Sequence, residues 1–229
     1  MAEPLPVAGF ERLSAVDWEG KLSAVVFLQG CGWRCPYCHN PALIPLRPPP
    51  PDAAPSWPEI STWLHRRQGL LDAVVFSGGE PTLYPGLPNA MAEAKNLGFL
   101  VGLHTGAPDP HALQHLLPHL DWVGLDFKAP FAEYPRVTGR DCGREVERGF
   151  HLLLQADLSL EIRTTWHPAL LSERDLSGMA AWLHHHGTRD WVLQPFRPEG
   201  CRSARLKETP LPPETPNFPV PDGLSVRWR

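Results

Sequence analysis

The run Ala24-Val-Val-Phe-Leu-Gln29 leads directly into Gly30-Cys31-Gly-Trp-Arg-Cys35-Pro-Tyr-Cys38-His-Asn40. A short continuous apolar run rich in β-branched residues is typical of a strand that is covered on both faces. Comparable runs recur along the chain and predict five further strands, at 73–76, 99–104, 122–127, 160–165 and 191–196. The quoted stretch is therefore the first of six buried strands, and it ends in a loop with three cysteines.

The segments between these strands have helical patterns, at 57–68, 86–96, 110–117, 145–156 and 172–185. Ser172 with Asp175 indicates a capped helix start, and Gly98 and Gly187 are typical of helix ends. Alternation of strand and helix predicts parallel βαβ units. Because six strands are too few for a complete barrel, we predict an α/β fold, a partial and open (β/α)6 TIM-like barrel, with a doubly wound sheet as the alternative. Both architectures place the ligand site at the carboxyl ends of the strands.

The 229 residues are enough for one catalytic domain, so we expect a single domain over 1–229. Two segments interrupt the alternation. Residues 45–58 contain seven prolines in 14 positions and predict an extended excursion. Residues 197–229 have no helical period, and we expect them to wrap the barrel surface as an irregular tail.

The formal net charge is −4, so no global positive field is available to bind nucleic acid or an anionic membrane, and we expect neither partner. The first residues lack the basic and apolar regions of a signal peptide. The longest apolar runs, 22–28 and 98–103, are far shorter than the roughly 20 residues of a membrane span. These features predict a cytoplasmic protein without a disulfide framework, in which three clustered cysteines form one metal site.

Cys31, Cys35 and Cys38 provide three thiolates, one fewer than a closed four-cysteine site. An open coordination position follows from that count. His39 could complete a structural zinc site, although adjacent Cys38 and His39 side chains reach one tetrahedral ion with difficulty.

The C-x3-C-x2-C loop, with Tyr37 before its last cysteine and Ser77-Gly-Gly-Glu-Pro81 after the second strand, resembles the radical S-adenosylmethionine superfamily. The resemblance implies a [4Fe–4S] cluster on the three cysteines, with S-adenosylmethionine on the fourth iron. It also implies cofactor-binding roles for residues in two segments, with the backbone of the aromatic residue at the adenine and the glycine turn at the methionyl amine: Tyr37, His39, Gly78, Gly79 and Glu80.

Alternation along the strand that ends in Lys128 places Gly124, Asp126 and Lys128 on one face. A carboxylate and an ammonium inside a barrel are costly unless they are paired or face a polar ligand. An internal ion pair is one interpretation. The other is a cofactor site, because Asp-x-Lys resembles the motif with which glycyl-radical-enzyme activases hold the ribose and carboxylate of S-adenosylmethionine.

The strand 160–165 repeats this pattern, with Glu161, Arg163 and Thr165 on one face. Arg163 is the candidate catalytic residue, to neutralise a carboxylate or polarise the sulfonium; an ion pair with Glu161 is the alternative. Thr105 is a further candidate for cofactor binding, since activases often have Asp-Thr-Asn-Gly here. The chain departs from that motif at His104 and Gly106.

Within the superfamily, the segments 16–21, 27–31, 35–41, 126–130 and 163–165 resemble anaerobic ribonucleoside-triphosphate reductase activating proteins. The resemblance implies an oxidoreductase that cleaves S-adenosylmethionine reductively and forms a glycyl radical on that reductase. Its partners would be this glycyl radical enzyme and a flavodoxin- or ferredoxin-type electron donor. Two alternatives are a small-molecule radical enzyme such as a 7-carboxy-7-deazaguanine synthase and a non-enzymatic, zinc-stapled interaction module.

Overall fold

The structure, a computed structural model, describes residues 4–50, 52, 54–211 and 215–229. Parts of three predicted segments lie outside this range: residues 1–3 of the predicted domain, 51 and 53 of the proline-rich excursion, and 212–214 of the tail.

The described residues form a single eight-stranded sheet in which the spatial order of the strands follows the sequence. The strands are β1 (Val7–Ser14), β2 (Ser23–Leu28), β3 (Ala73–Gly78), β4 (Leu100–Thr105), β5 (Trp122–Asp126), β6 (Ser159–Trp166), β7 (Asp190–Pro195) and β8 (Ser225–Trp228). β1 is antiparallel to β2, and every later neighbour is parallel. The sheet is curled and open, which confirms the predicted partial barrel. All six predicted strands are present.

Seven helices accompany the sheet in the described range: α1 (Trp57–His65), α2 (Leu87–Asn96), α3 (Pro110–Leu116), α4 (Tyr134–Thr138), α5 (Gly143–Gln155), α6 (Glu173–His185) and α7 (Ala204–Glu208). The predicted caps are present. Ser172 and Asp175 form a capping box at the start of α6. Gly98 and Gly187 have φ values of 88° and 78°, the left-handed conformation that ends a helix without strain only at glycine.

The tail differs from the prediction because it contains both α7 and β8. A five-residue helix is too short to show a helical period, and β8 is a mostly exposed edge strand without an apolar run. β1 escaped prediction for the same reason, since most of its residues are partly or fully exposed. The proline-rich excursion is shorter than predicted at its carboxyl side, because α1 begins at Trp57 behind a capping box formed by Ser56.

An aromatic plug closes the amino end of the barrel interior. Trp18, from the β1–β2 connection, stacks on Trp122 of β5 with ring centroids 5.1 Å apart and an interplanar angle of 14°. Three small side chains from β2 and β3 complete this inner cluster: Val25, Ala73 and Val75. Stacked pairs of this kind contribute about 0.5–1.5 kcal/mol beyond the area that they bury. The plug therefore fills part of the barrel interior with packed aromatic and aliphatic side chains.

No helix in the described part of the chain is long and apolar enough to cross a bilayer.

Candidate functional site

A cavity of about 570 Å³ occupies the barrel at the carboxyl ends of the strands. It brings together the three predicted metal ligands, the predicted catalytic residue and every predicted cofactor-binding residue: Cys31, Cys35, Cys38, Arg163, Tyr37, His39, Gly78, Gly79, Glu80, Thr105, Asp126 and Lys128. Side chains from five separated segments therefore share one interior space. The expectation that the strand ends hold the site agrees with this arrangement.

Backbone hydrogen bonds hold the cysteine loop against the strand ends. Gly30 N donates to Leu43 O at 2.6 Å, and Cys31 N donates to Ile44 O at 3.1 Å. Farther along the loop, Arg34 N donates to Thr138 O at 2.7 Å. These bonds fix the backbone on both sides of the thiols, so the cysteines are carried by a braced loop.

The three thiols are free and partly buried. Burial raises the pKa of each one, to about 11 for Cys35, and nearby Lys128 opposes the increase. The thiolates that soft metals require must therefore be stabilised by the metal itself.

In the described residues, no three Cys, His, Asp or Glu side chains are close enough together to hold one metal ion. Cluster cysteines bind different irons and lie farther apart than the ligands of a single ion. A three-sulfur donor set around one cavity fits a cluster with one open iron.

The glycine turn lets the end of β3 approach the cysteine loop. A Cβ on Gly78 would collide with the backbone of Leu28, and one on Gly79 would collide with the carbonyl oxygen of Gly30. Gly78 also has a φ of 117°, which side-chain-bearing residues rarely adopt. Glu80 N then donates to Gly30 O at 2.8 Å. The glycines thus have a structural role in joining two backbones, while their predicted contact with the cofactor stays a prediction.

Glu80 is almost fully buried, and its carboxylate accepts four hydrogen bonds from the protein. Two come from Thr82, through its amide and its hydroxyl, and two come from the β4 end, where Thr105 Oγ1 lies at 2.7 Å and Gly106 N at 3.0 Å. Burial raises the pKa of Glu80, and these four donors oppose the increase. The hydrogen bond between Thr105 and Glu80 therefore links the carboxyl ends of β3 and β4 at the cavity.

Asp126 lies between two cations inside the cavity. Lys128 Nζ is 3.0 Å from Asp126 Oδ2, and Arg163 NH2 and Nε are 2.9 and 3.2 Å from Oδ1. Register pairs Asp126 with Arg163 across β5 and β6. Burial by itself would raise the pKa of Asp126, but the two cations outweigh it and hold the pKa below its ordinary value. The inward face predicted from alternation is therefore occupied by an ion-paired cluster.

The alternative partner considered for Arg163 is wrong. Glu161 instead binds Arg229, with an NH2–Oε1 distance of 2.8 Å, and it also faces Arg227 at 3.9 Å. Glu19 also binds both arginines, with Arg227 NH1 at 2.9 Å and Arg229 NH1 at 3.4 Å from its Oε2. Ion pairs therefore connect the β8 end of the chain to the β1–β2 connection. Arg163 forms its ion pair with Asp126 instead of Glu161.

Lys128 also lies near aromatic rings. Its Nζ is 5.4 Å from the ring centroid of Trp33 and 5.9 Å from that of Tyr37, within cation–π range. Burial and Lys128 have opposite effects on the pKa of Tyr37, and burial prevails, so the phenol stays neutral. The ring of His39 is 6.5 Å from that of Phe196, and burial lowers its pKa.

His104 is a site residue whose role the sequence did not indicate. Its Nδ1 is 3.1 Å from Ser77 Oγ, and its Nε2 is 2.9 Å from Asp17 O and 3.1 Å from Arg163 NH1. Burial, with Arg163 beside it, lowers the pKa of His104 to about 3. A neutral imidazole therefore stands where activases often have a carboxylate. The only sequence signal was the departure from their motif.

Residues 25–170 match the model of the Radical SAM superfamily. The chain belongs to this superfamily. It is 30% identical, over 91% of its length and 87% of the relative's, to a Methanocaldococcus jannaschii protein provisionally named a glycyl-radical enzyme activating enzyme. It is 32% identical to a pyruvate formate-lyase-activating enzyme of Clostridium pasteurianum, over 66% of this chain and 62% of that one.

Two solved structures share the fold. SuiB of Streptococcus suis bound to S-adenosylmethionine superposes with a TM-score of 0.59 at 13% identity, over 74% of this chain and 39% of that one. QueE of Escherichia coli superposes with a TM-score of 0.51 at 16% identity, over 85% and 84%. Radical SAM enzymes use a [4Fe–4S] cluster and S-adenosylmethionine, and these are the cofactors of this enzyme.

Proposed function

We propose that this enzyme activates a glycyl radical enzyme and that its protein substrate is an anaerobic ribonucleoside-triphosphate reductase. The observation that carries the activating role is the 30% identity to the Methanocaldococcus jannaschii relative over 91% of the chain. That match extends beyond residues 25–170, to which the superfamily model is confined. The similarity therefore includes parts of the chain outside the region that the superfamily model matches.

In this proposal Cys31, Cys35 and Cys38 hold the cluster, and the electron comes from a flavodoxin- or ferredoxin-type donor. When bound, the cofactors supply one-electron cleavage of S-adenosylmethionine to methionine and a 5′-deoxyadenosyl radical, which takes a hydrogen atom from a glycine Cα of the partner. The chain's own task is to bind the cofactor, exclude water and align the glycine.

Asp126, Lys128 and Arg163 support cofactor binding through their charges. Two cations share one carboxylate inside the cavity, which leaves a local surplus of one positive charge. The methionyl carboxylate of S-adenosylmethionine is an anion of matching charge. We propose that it binds to this cluster and that the backbone of Tyr37 meets the adenine.

The choice of the reductase rests on the resemblance of individual segments. One of them, 16–21, contributes Asp17 to the cavity lining, where its carbonyl oxygen contacts His104. Another, 126–130, carries Asp126 and Lys128. These segments lie at the site, so they are positioned to affect which partner is accepted.

The test is activation of purified partners under anaerobic conditions. We expect the reconstituted enzyme, with S-adenosylmethionine and a reductant, to produce a glycyl-radical electron paramagnetic resonance signal on the reductase and none on pyruvate formate-lyase. A Cys38→Ala variant is the control and should give no signal. A radical on pyruvate formate-lyase alone would replace the proposed partner. Cofactor cleavage coupled to a pterin substrate, with no glycyl radical on either protein, would replace the proposed function.

A further inference from the structure

The indole ring of Trp33 forms part of the cavity wall within the cysteine loop. Trp33 lies between Cys31 and Cys35, is only 5% exposed, and lines the cavity. Its backbone N is 3.4 Å from the sulfur of Cys31. The next residue, Arg34, donates its backbone N–H to Thr138 O at 2.7 Å. The backbone that carries the ring is therefore held in place.

The ring and Lys128 have a neighbour in common, Tyr134 of α4. Tyr134 is fully buried and meets the Trp33 ring edge to face, with centroids 6.0 Å apart and an interplanar angle of 71°. Its hydroxyl accepts a hydrogen bond from Lys128 N at 3.3 Å. The Lys128 ammonium in turn lies 5.4 Å from the centroid of the Trp33 ring. Tyr134 therefore fixes the indole and the lysine backbone relative to each other.

The ring also occupies the space that a side chain at position 106 would need. A Cβ on Gly106 would collide with the outer edge of the Trp33 ring and would lie 3.4 Å from Lys128 Cε. The φ of Gly106 is outside the left-handed range, so the close approach, and not the backbone conformation, requires glycine here. Activases often have asparagine at this position. The departure at Gly106 is therefore explained by the indole of Trp33.

A lysine that is ordered before the ligand arrives binds an anion at lower cost. The Lys128 stem is long and flexible, and a side chain of this kind loses conformational entropy when a ligand immobilises it. The Trp33 ring restricts the ammonium from one side, and Asp126 Oδ2 contacts it at 3.0 Å. Part of the entropy cost is thus met by folding, before the cofactor binds.

We propose that Trp33 is a positioning residue for cofactor binding, whose indole fills the space beside Gly106 and holds the Lys128 ammonium beside Asp126. This inference rests on the proposed function, in which that ammonium binds the methionyl carboxylate of S-adenosylmethionine, and it adds a residue on which the binding depends. Trp33 acts through Lys128 and needs no contact of its own with the cofactor.

The main experiment measures the dissociation constant of S-adenosylmethionine for the cluster-loaded enzyme, in Trp33→Leu with and without Lys128→Met. We expect Trp33→Leu to raise this constant about three- to tenfold, the scale of ordering one long side chain on binding. In the Lys128→Met background the same substitution should change it by less than about twofold, because no ammonium is left to position. Trp33→Phe retains an aromatic face and should fall between the wild type and Trp33→Leu.

A second experiment tests the packing of the ring against Gly106 in the cofactor-free protein. Gly106→Ala should lower Tm in the wild-type background, because the added Cβ displaces the indole. It should not lower Tm in Trp33→Leu, where the space is free. The matched control is Phe99→Leu, since Phe99 is 3% exposed and does not line the cavity. This control should lower Tm and leave the dissociation constant unchanged.

Two results would overturn the positioning role: an unchanged dissociation constant in Trp33→Leu, or an equal increase in the Lys128→Met background. If Trp33→Leu does not fold, Trp33→Phe and Gly106→Ala provide the same comparison, because both disturb the ring and should weaken binding only where Lys128 is present. If Lys128→Met binds the cofactor as the wild type does, the proposed carboxylate site and the positioning role both fail. A wild-type enzyme that forms no glycyl radical on either partner would refute the activating role alone, because the affinity measurement needs no partner.

Discussion

Replacing Asp126 should destabilise the cofactor-free protein more than replacing Lys128 does. Asp126 is the shared anion of two cations, which lie 3.0 and 2.9 Å from its oxygens. Asp126→Asn leaves both cations without a counterion. Lys128→Met leaves the contact between Asp126 and Arg163 in place, and the methionine can occupy the path of the lysine stem beside Trp33. Asp126→Asn therefore removes both ion pairs of the cluster, whereas Lys128→Met removes only one.

The expected magnitudes follow from burial. The Lys128 and Arg163 side chains are 14% and 9% exposed, and breaking a pair with so little exposure costs about 3–5 kcal/mol. The Asp126 side chain is 35% exposed, towards the cavity, so water there screens part of the loss. We expect Asp126→Asn to lower the free energy of unfolding by about 2–3 kcal/mol and Lys128→Met to lower it by about 1 kcal/mol.

The assay is thermal and denaturant unfolding of both variants beside the wild type, without cofactors. For a chain of this size, each kcal/mol shifts Tm by roughly 2–4 °C. Asp126→Asn should therefore unfold roughly 5–10 °C below the wild type, and Lys128→Met only a few degrees below it. If Lys128→Met proved as destabilising as Asp126→Asn, the shared-anion argument would be refuted. In the cluster-loaded enzyme both variants should also bind S-adenosylmethionine about ten- to a hundredfold more weakly.

Three further predictions concern the cysteine loop and the interior. Cys38→Ala should lower the iron retained after anaerobic reconstitution, measured chemically, whereas Cys142→Ala should not. Gly200→Ala should cost about 1–3 kcal/mol more unfolding free energy than Gly187→Ala, because both have φ near 75° but only a Cβ at Gly200 would strike a carbonyl of the cysteine loop. The folded protein lowers the pKa of His104 to about 3, so as the pH falls below 6.5 the unfolded chain binds this proton before the folded chain does. Denaturant titrations should therefore show that the free energy of unfolding of the wild type falls by about 1.4 kcal/mol per pH unit below pH 6.5. His104→Gln should not show this decrease.

The strands that the sequence predicted are those covered on both faces. β2 and β3 are almost wholly buried, and a continuous apolar run identifies such strands directly. β1 and β8 lie at the two edges of the sheet, where exposed positions break the run. Their existence depends on pairing with β2 and β7, a tertiary fact that local patterning does not contain.

The candidate site shows the same division between local and long-range information. Alternation along one strand predicted that Asp126 and Lys128 face inward, and the structure agrees. Alternation does not fix the register between strands, so the pairing of Asp126 with Arg163 was not predictable and Glu161 stood as the alternative. The four donors to Glu80 likewise come from two separate segments, and only the folded chain brings them together.

The exchange at position 104 connects the interior packing to the charge of the cofactor site. A carboxylate at this position, beside Arg163, would compete with Asp126 for the guanidinium. The neutral imidazole of His104 does not compete, because burial and Arg163 keep its pKa far below neutral pH. Arg163 can therefore bind Asp126 through its Nε and NH2 atoms. The imidazole of His104 is positioned by its hydrogen-bond contacts with the Asp17 carbonyl oxygen and the Ser77 hydroxyl. The consequence is one anion fewer beside Arg163 than the related motif would give, and the surplus positive charge of the cluster of Asp126, Lys128 and Arg163 favours a ligand with a carboxylate.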